Sequence, residues 1–165
     1  MWNSIVQKLT ERGWTITAME SCTGGALADR ITDVAGASAV LRESFVTYSN
    51  EAKLRRGVPA EVIAAHTVYS AETAAAMASA ARRQTGADFA VGVTGLLGRI
   101  DPANPTERPG RVWFAIADAQ GGYTVREMQV PDGERTRQKE AVVTRIGQEL
   151  LRILDTSDAG GGAEL

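Results

Sequence analysis

Cysteine and histidine are almost absent from this 165-residue chain, which holds one of each, Cys22 and His66. A single cysteine excludes a disulfide within the chain and is typical of a reducing compartment. One cysteine and one histidine are also too few ligands for a structural zinc site. The composition therefore points away from secreted disulfide scaffolds and small zinc domains.

Long apolar runs and an excess of positive charge are also missing. No apolar stretch approaches the length of a membrane span, and the first residues are too polar for a signal peptide. The net charge of −2 argues against nucleic-acid binding through a broad basic surface, although a local basic pocket stays open. We therefore expect a cytoplasmic protein that binds neither a membrane nor nucleic acid.

Strand and helix patterns alternate in the first half of the chain, and a hairpin pattern occupies the second half. Strands are predicted over 14–19, 45–48, 88–94, 111–119 and 123–130, and the longer helices over 2–12, 24–32, 70–84 and 133–155. Asn50 and Ser70 are predicted N-caps, and Pro59 a first helical position.

This pattern predicts one α/β domain over residues 1–155, a three-layer α/β/α fold with a mixed sheet. A glycine-rich segment, 156–165, is predicted to be a flexible tail. The irregular segment 96–110 is long enough to be an active-site loop. The alanine-rich helix 70–84 could pack against a partner helix, so we expect a homo-oligomer.

The most informative motif is Glu-Ser-Cys-Thr-Gly-Gly at 20–25, where a strand turns into a helix. Free N–H groups at a helix N-terminus favour anions and developing oxyanions. Gly24 and Gly25 also permit close approach of a ligand to the backbone. Ser21 is therefore a candidate nucleophile, while the alternative is that Ser21 or Thr23 caps the helix.

A serine nucleophile needs a base, and lysine is scarce, with three lysines against fifteen arginines. Lys8 and Lys139 fall on the first and last predicted helices, at positions that look solvated. If the first two strands pair in parallel, Tyr48 and Lys53 emerge at the same sheet edge as Ser21. Burial disfavours a charged lysine and makes it a candidate base. The alternatives are a core tyrosine and an ordinary surface lysine.

Cys22 and His66 offer other chemistries. A thiolate at a helix N-terminus would have a lowered pKa, but no histidine is visibly placed to pair with Cys22, and a small buried cysteine is commoner. No carboxylate is visibly placed to orient His66, which favours a structural role over a Ser-His-Asp triad. Ser21 is preferred over Cys22 as the nucleophile.

Two further places could bind substrate. The Thr94 hydroxyl or the Gly95 N–H, at the end of the third strand, could bind an oxyanion or a ribose, or could simply end the strand. Arg135, at the start of the last helix, could bind phosphate through two parallel hydrogen bonds or could be solvated. The same choice applies to three arginines in and beside the long loop, Arg99, Arg108 and Arg111.

Four segments, taken together, resemble one family. They are 20–25, 32–38 (Thr-Asp-Val-Ala-Gly-Ala-Ser), 46–53 (Val-Thr-Tyr-Ser-Asn-Glu-Ala-Lys) and 93–95 (Val-Thr-Gly). In this order and spacing they resemble the C-terminal domain of the CinA (competence/damage-inducible) proteins, a family that includes stand-alone nicotinamide mononucleotide deamidases. The similarity extends over about residues 4–154.

The resemblance implies a metal-independent amidohydrolase of pyridine-nucleotide salvage that needs no cofactor. It would convert nicotinamide mononucleotide and water to nicotinic acid mononucleotide and ammonia. Ser21 would attack the carboxamide, Lys53 would be its general base, and Tyr48 would assist proton transfer to ammonia. The substrate-binding positions that it implies are Thr23, Gly24, Gly25, Thr94, Gly95 and Arg135.

Within this set, N–H groups around 23–25 would form the oxyanion hole. Thr94 would line the pocket, and Arg135 would bind the 5′-phosphate of the small-molecule nucleotide.

The chain also departs from the family pattern. Residues 94–102 read Thr-Gly-Leu-Leu-Gly-Arg-Ile-Asp-Pro, where the family usually has Thr-Gly-Ile-Ala-Gly-Pro followed by glycines. Residues 66–70 read His-Thr-Val-Tyr-Ser, where the family usually has His-Gly-Ala-Val-Ser. The changed loop alters the pocket, so either Arg99 replaces backbone contacts to phosphate or the substrate differs. Two alternatives stay open: a non-catalytic nucleotide- or partner-binding module, and an amidase for another amide, using Cys22.

Overall fold

Five strands form one mixed sheet in the computed structural model, which describes residues 1–159. They are β1 (Ile16–Glu20), β2 (Phe45–Val46), β3 (Phe89–Gly95), β4 (Arg111–Ala117) and β5 (Tyr123–Gln129). The spatial order is β2-β1-β3-β4-β5. Strand β1 pairs in parallel with β2 and β3, whereas β4 is antiparallel to β3 and β5. The predicted mixed sheet and the parallel pairing of the first two strands are confirmed.

Six α-helices cover the two faces of this sheet. They are α1 (Trp2–Glu11), α2 (Ala26–Thr32), α3 (Asn50–Arg55), α4 (Ala60–His66), α5 (Ala71–Thr85) and α6 (Arg135–Ala159), with a 3₁₀ turn at Ala37–Ala39. Apolar residues of α1, α2 and α6 pack on one face, and those of α4 and α5 pack on the other. This is the predicted three-layer α/β/α architecture. No helix within residues 1–159 has the length and apolar character needed to cross a membrane.

Several predicted boundaries differ from the structure. The cap of α3 is Ser49, whose Oγ accepts a hydrogen bond from Ala52 N, and not Asn50. Pro59 is the N-cap of α4 and not its first residue. Helix α6 runs through Ala159, into the segment predicted to be a tail, and residues 160–165 lie outside the described part.

The alanines of α5 pack inside the domain, against strand β3. Ala74 and Ala78 are fully buried, and a Cβ added at Gly92 of β3 would lie 2.1 Å from Ala74 O and 2.5 Å from Ala78 N. Small residues on both elements therefore let the helix backbone lie against the strand. The alanine content of α5 is thus explained without a partner helix, and homo-oligomerisation stays a prediction.

We expect Gly92→Ala to lower the free energy of unfolding by about 3 kcal/mol, because the methyl group overlaps backbone atoms that cannot move independently. Urea unfolding followed by circular dichroism measures this change. Gly133→Ala is the matched control, since no atom lies within 4 Å of its added Cβ. Equal stability of the two variants would contradict the close approach of α5 and β3.

Candidate active site

Ser21 and Lys53, which are 32 residues apart in sequence, meet at the carboxyl edge of the parallel strands. Lys53 Nζ lies 3.0 Å from Ser21 Oγ and donates to Thr47 O at 2.8 Å. The register that aligns Glu20 with Val46 places the segments after β1 and β2 side by side. Ser21 and Lys53 are 6% and 1% exposed, so the pair is nearly withdrawn from water.

Burial changes the acid–base chemistry of Lys53. Desolvation lowers its pKa to about 8, and the nearby Cys22 and Glu51 oppose this shift only in part. Such a lysine exchanges its proton close to neutral pH, which an exposed lysine does not. The Thr47 carbonyl can only accept a hydrogen bond, so it orients the amine and directs the lone pair of the neutral form towards Ser21.

Glu20 supports the Ser21 turn, a role that the sequence did not reveal. Its fully buried carboxylate accepts hydrogen bonds from the Thr23 hydroxyl at 2.6 Å and from the N–H groups of Gly25, Leu27 and Ala28 at 2.9–3.1 Å. A side chain from the end of β1 thus satisfies donors at the start of α2. This contact fixes the turn that carries Ser21. An acidic residue just before a Gly-Gly turn into a helix was the available signal.

The same contact corrects the predicted oxyanion hole. Gly25 N donates to Glu20, and Gly24 N donates to Ser21 O at 3.0 Å, so neither N–H is free for a ligand. The Thr23 hydroxyl is also used, by Glu20. Within residues 1–159, the N–H groups of Cys22 and Thr23 donate to no backbone carbonyl, and they are the donors left in this turn.

Cys22 and His66 are poorly placed for nucleophilic chemistry. Burial raises the pKa of the Cys22 thiol to about 12, so the thiolate is scarce near neutral pH. His66 is exposed at the end of α4, and its Nδ1 lies 3.6 Å from a Glu72 carboxylate oxygen. This distance is beyond hydrogen-bond range, and neither residue lines the cavity around Ser21.

A cavity of about 240 Å³ opens onto Ser21. The predicted site residues that line it are Ser21, Tyr48, Lys53, Gly95 and Arg135, whereas Thr23, Gly24 and Gly25 do not. Tyr48 lies at its mouth with 65% of its surface exposed. Thr94 lies behind the wall and not on it. It is fully buried and its hydroxyl donates to Val68 O at 2.8 Å, so it holds a wall segment in place.

Two residues that the sequence did not single out are joined by a hydrogen bond in the cavity wall. The Tyr69 hydroxyl, just before α5, donates to Asp101 Oδ2 in the loop 96–110 at 2.8 Å. Asp101 also accepts hydrogen bonds from Ala103 N and from the Asn104 side chain, both at 2.9 Å. The long loop therefore forms part of the cavity wall, as predicted for an active-site loop.

Basic residues around the site also differ from expectation. Lys139, expected to be solvated, reaches the Ser21 turn: its Nζ lies 3.2 Å from the point that a Gly24 Cβ would occupy. Arg135 lies against Gly98, whose added Cβ would be 2.9 Å from the guanidinium. Arg99 is exposed and is not part of the cavity lining.

The described residues contain no group of three or more His, Cys, Asp or Glu side chains that could hold a metal ion.

Comparisons with known proteins agree with this fold. The chain is 44% identical to the nicotinamide-nucleotide amidohydrolase PncC of Escherichia coli over 135 residues, 81% of each protein. It is 40% identical over 156 residues to a CinA-like protein of Chlorobium chlorochromatii, of which it spans only 37%. The crystal structure of the competence/damage inducible protein CihA from Agrobacterium tumefaciens, 36% identical, superposes with a TM-score of 0.83 over 93% of both chains.

A family model also matches nearly the whole chain. The model of the CinA C-terminal domain covers residues 1–154, which include every element that positions Ser21 and Lys53. The chain therefore belongs to the CinA C-terminal domain family.

Proposed function

We propose that this protein is a metal-independent amidohydrolase that converts nicotinamide mononucleotide to nicotinic acid mononucleotide and ammonia. The observation that carries the proposal is the buried pair of Ser21 and Lys53, 3.0 Å apart at the base of a cavity. The E. coli relative that bears the name of this activity supports the choice of substrate.

In the proposed mechanism, neutral Lys53 takes the proton of the Ser21 hydroxyl as Oγ attacks the carboxamide carbon. The tetrahedral intermediate collapses, the C–N bond breaks, and the Lys53 ammonium gives its proton to the departing nitrogen, which leaves as ammonia. Water then attacks the acyl-Ser21 ester with Lys53 again as base. This step releases the carboxylic acid and restores the serine.

The surrounding groups take supporting roles in this proposal. Tyr48, at the cavity mouth, assists proton transfer to ammonia, and Arg135 binds the 5′-phosphate. The N–H groups of Cys22 and Thr23 stabilise the oxyanion, in place of the glycine amides that are already occupied. Gly95 lines the pocket.

Incubation of the purified protein with nicotinamide mononucleotide tests the proposal directly. We expect equimolar ammonia and nicotinic acid mononucleotide, measured by a coupled ammonia assay and by chromatography. Nicotinamide riboside is the matched control substrate, because it lacks only the phosphate assigned to Arg135. Binding of the nucleotide without ammonia would instead favour a non-catalytic module.

The activity should rise with pH and level off above about pH 8. Only neutral Lys53 can accept the serine proton, and its pKa of about 8 leaves about a tenth of the enzyme competent at pH 7. The log of kcat/KM should therefore increase with a slope near one between about pH 6 and 7.5. A rate independent of pH across this range would contradict Lys53 as the base.

A further inference from the structure

The hydrogen bond between Tyr69 and Asp101 places a carboxylate in the wall of the active-site cavity. Asp101 accepts hydrogen bonds from Asn104, Ala103 and Tyr69, and these bonds lower the pKa of its carboxyl group. The group therefore stays ionised at neutral pH. These are neutral donors, so the bonds fix the position of the negative charge without cancelling it.

Asp101 shares the cavity lining with two basic residues. Asp101 is the one acidic side chain among the described residues that line the cavity, and no ion pair neutralises it within the described part of the chain. The lining cations are Lys53, which is held by Ser21 and Thr47, and Arg135 at the start of α6. The cavity thus presents a fixed negative charge on the loop 96–110 and a positive one on α6.

Resting on the proposed function, we infer that Asp101, held in place by Tyr69, selects substrates whose ring carries a positive charge. In nicotinamide mononucleotide the carboxamide is attached directly to a pyridinium ring, and the phosphate lies at the other end. When the carboxamide reaches Ser21, the ring must lie inside this small cavity. A carboxylate held in the wall of the cavity attracts such a cation and favours it over a neutral ring of the same shape.

Tyr69 and Asp101 come from two separate segments of the cavity wall. Tyr69 lies just before α5, and Asp101 lies in the loop 96–110 after β3. Their hydrogen bond joins residues 32 positions apart and, together with the bonds from Ala103 and Asn104, positions the carboxylate.

Titration calorimetry with two ligands tests this inference. One is nicotinamide mononucleotide, and the other is benzamide riboside 5′-phosphate, which keeps the carboxamide and the phosphate but has a neutral phenyl ring. All titrations use the Ser21→Ala background, so that the amide is not hydrolysed. Asp101→Asn should weaken binding of the charged ligand about ten-fold and of the neutral one less than two-fold.

Control variants separate charge from loop structure. Asp101→Glu keeps the charge and should retain most of the preference for the cationic ring. Tyr69→Phe keeps the carboxylate but removes one of its three hydrogen bonds, and should reduce that preference about three-fold. If circular dichroism shows that Asp101→Asn does not fold, the preference of Tyr69→Phe for the cationic ring tests the inference on its own. Asp118→Asn, in the turn between β4 and β5, should change neither affinity.

The outcomes are distinct from those of the activity assay. If Asp101→Asn weakened the binding of both ligands equally, Asp101 would only hold the loop in place. If neither affinity changed, the carboxylate would make no electrostatic contribution to binding. Either result overturns the inference while wild-type ammonia release leaves the proposed function intact. Absence of ammonia release by the wild type would count against the proposed function, whereas the affinity ratio would still report on the charge of the wall.

Discussion

Ammonia release from nicotinamide mononucleotide should fall at least about 10³-fold in both Ser21→Ala and Lys53→Met. The first variant removes the attacking oxygen, and the second replaces the amine 3.0 Å from it by an apolar group of similar length. Because the two groups act as a unit, the double variant should be no slower than either single variant. Single-turnover ammonia release measures all three.

Cys22→Ala is the matched control for this comparison. It alters a buried neighbour of the nucleophile whose pKa of about 12 leaves it a neutral thiol, and we expect its activity to stay within about three-fold of wild type. An active Ser21→Ala variant together with an inactive Cys22→Ala variant would assign the chemistry to the thiol.

Lys53→Met should lose activity while gaining stability. Below pH 8 the wild-type fold holds a buried ammonium, and removing it should raise the free energy of unfolding by about 1 kcal/mol despite two lost hydrogen bonds. The folded pKa of about 8 lies below the ordinary value of 10.5, so wild-type stability increases as the pH rises between them. The stability advantage of Lys53→Met over the wild type should therefore shrink between about pH 8 and pH 10.5. An advantage that grows towards pH 10.5 would contradict a buried, charge-destabilised lysine.

The meeting of Ser21 and Lys53 could be predicted because it follows from topology. Two strand-to-helix units in parallel place the segments after their strands at one edge of the sheet, and the β-branched runs and helix patterns are local signals. The N-cap of α5 at Ser70 was also predicted, from a local pattern. In the structure, Ser70 Oγ accepts a hydrogen bond from Thr73 N, three residues later. Prediction was accurate where one local pattern or one pairing rule decided the outcome.

The remaining contacts of the site join residues that are far apart in sequence, and no local sequence pattern predicts them. Lys139 lies on the last helix, yet it reaches Gly24, more than a hundred residues earlier. Tyr69 and Asp101 meet because the loop 96–110 forms part of the cavity wall beside the segment that precedes α5. The sequence does suggest that N–H groups at the start of α2 are free to bind an anion, but it does not reveal that Glu20 already occupies them.

Glu20→Ala should lower the free energy of unfolding by about 4 kcal/mol and reduce kcat as well. The substitution leaves three backbone N–H groups and the Thr23 hydroxyl without their acceptor, and it opens a cavity beneath the Ser21 turn. Each buried donor without a partner costs about 1–3 kcal/mol, and water entering the cavity restores part of that loss. Urea unfolding gives the stability, and steady-state ammonia release gives kcat.

Glu20→Gln separates the volume of the side chain from its acceptor capacity. It fills the same space, but its amide nitrogen faces N–H donors, so we expect an intermediate loss of about 2 kcal/mol. Glu61→Ala is the matched control: Glu61 lies in the first turn of α4 but is exposed, so its loss should change stability by less than about 0.5 kcal/mol. If Glu20→Gln proved as stable as wild type, the carboxylate would act mainly by filling space. A graded series from Gln to Ala, with kcat falling in parallel, would mean that this acceptor set holds Ser21 in its reactive position.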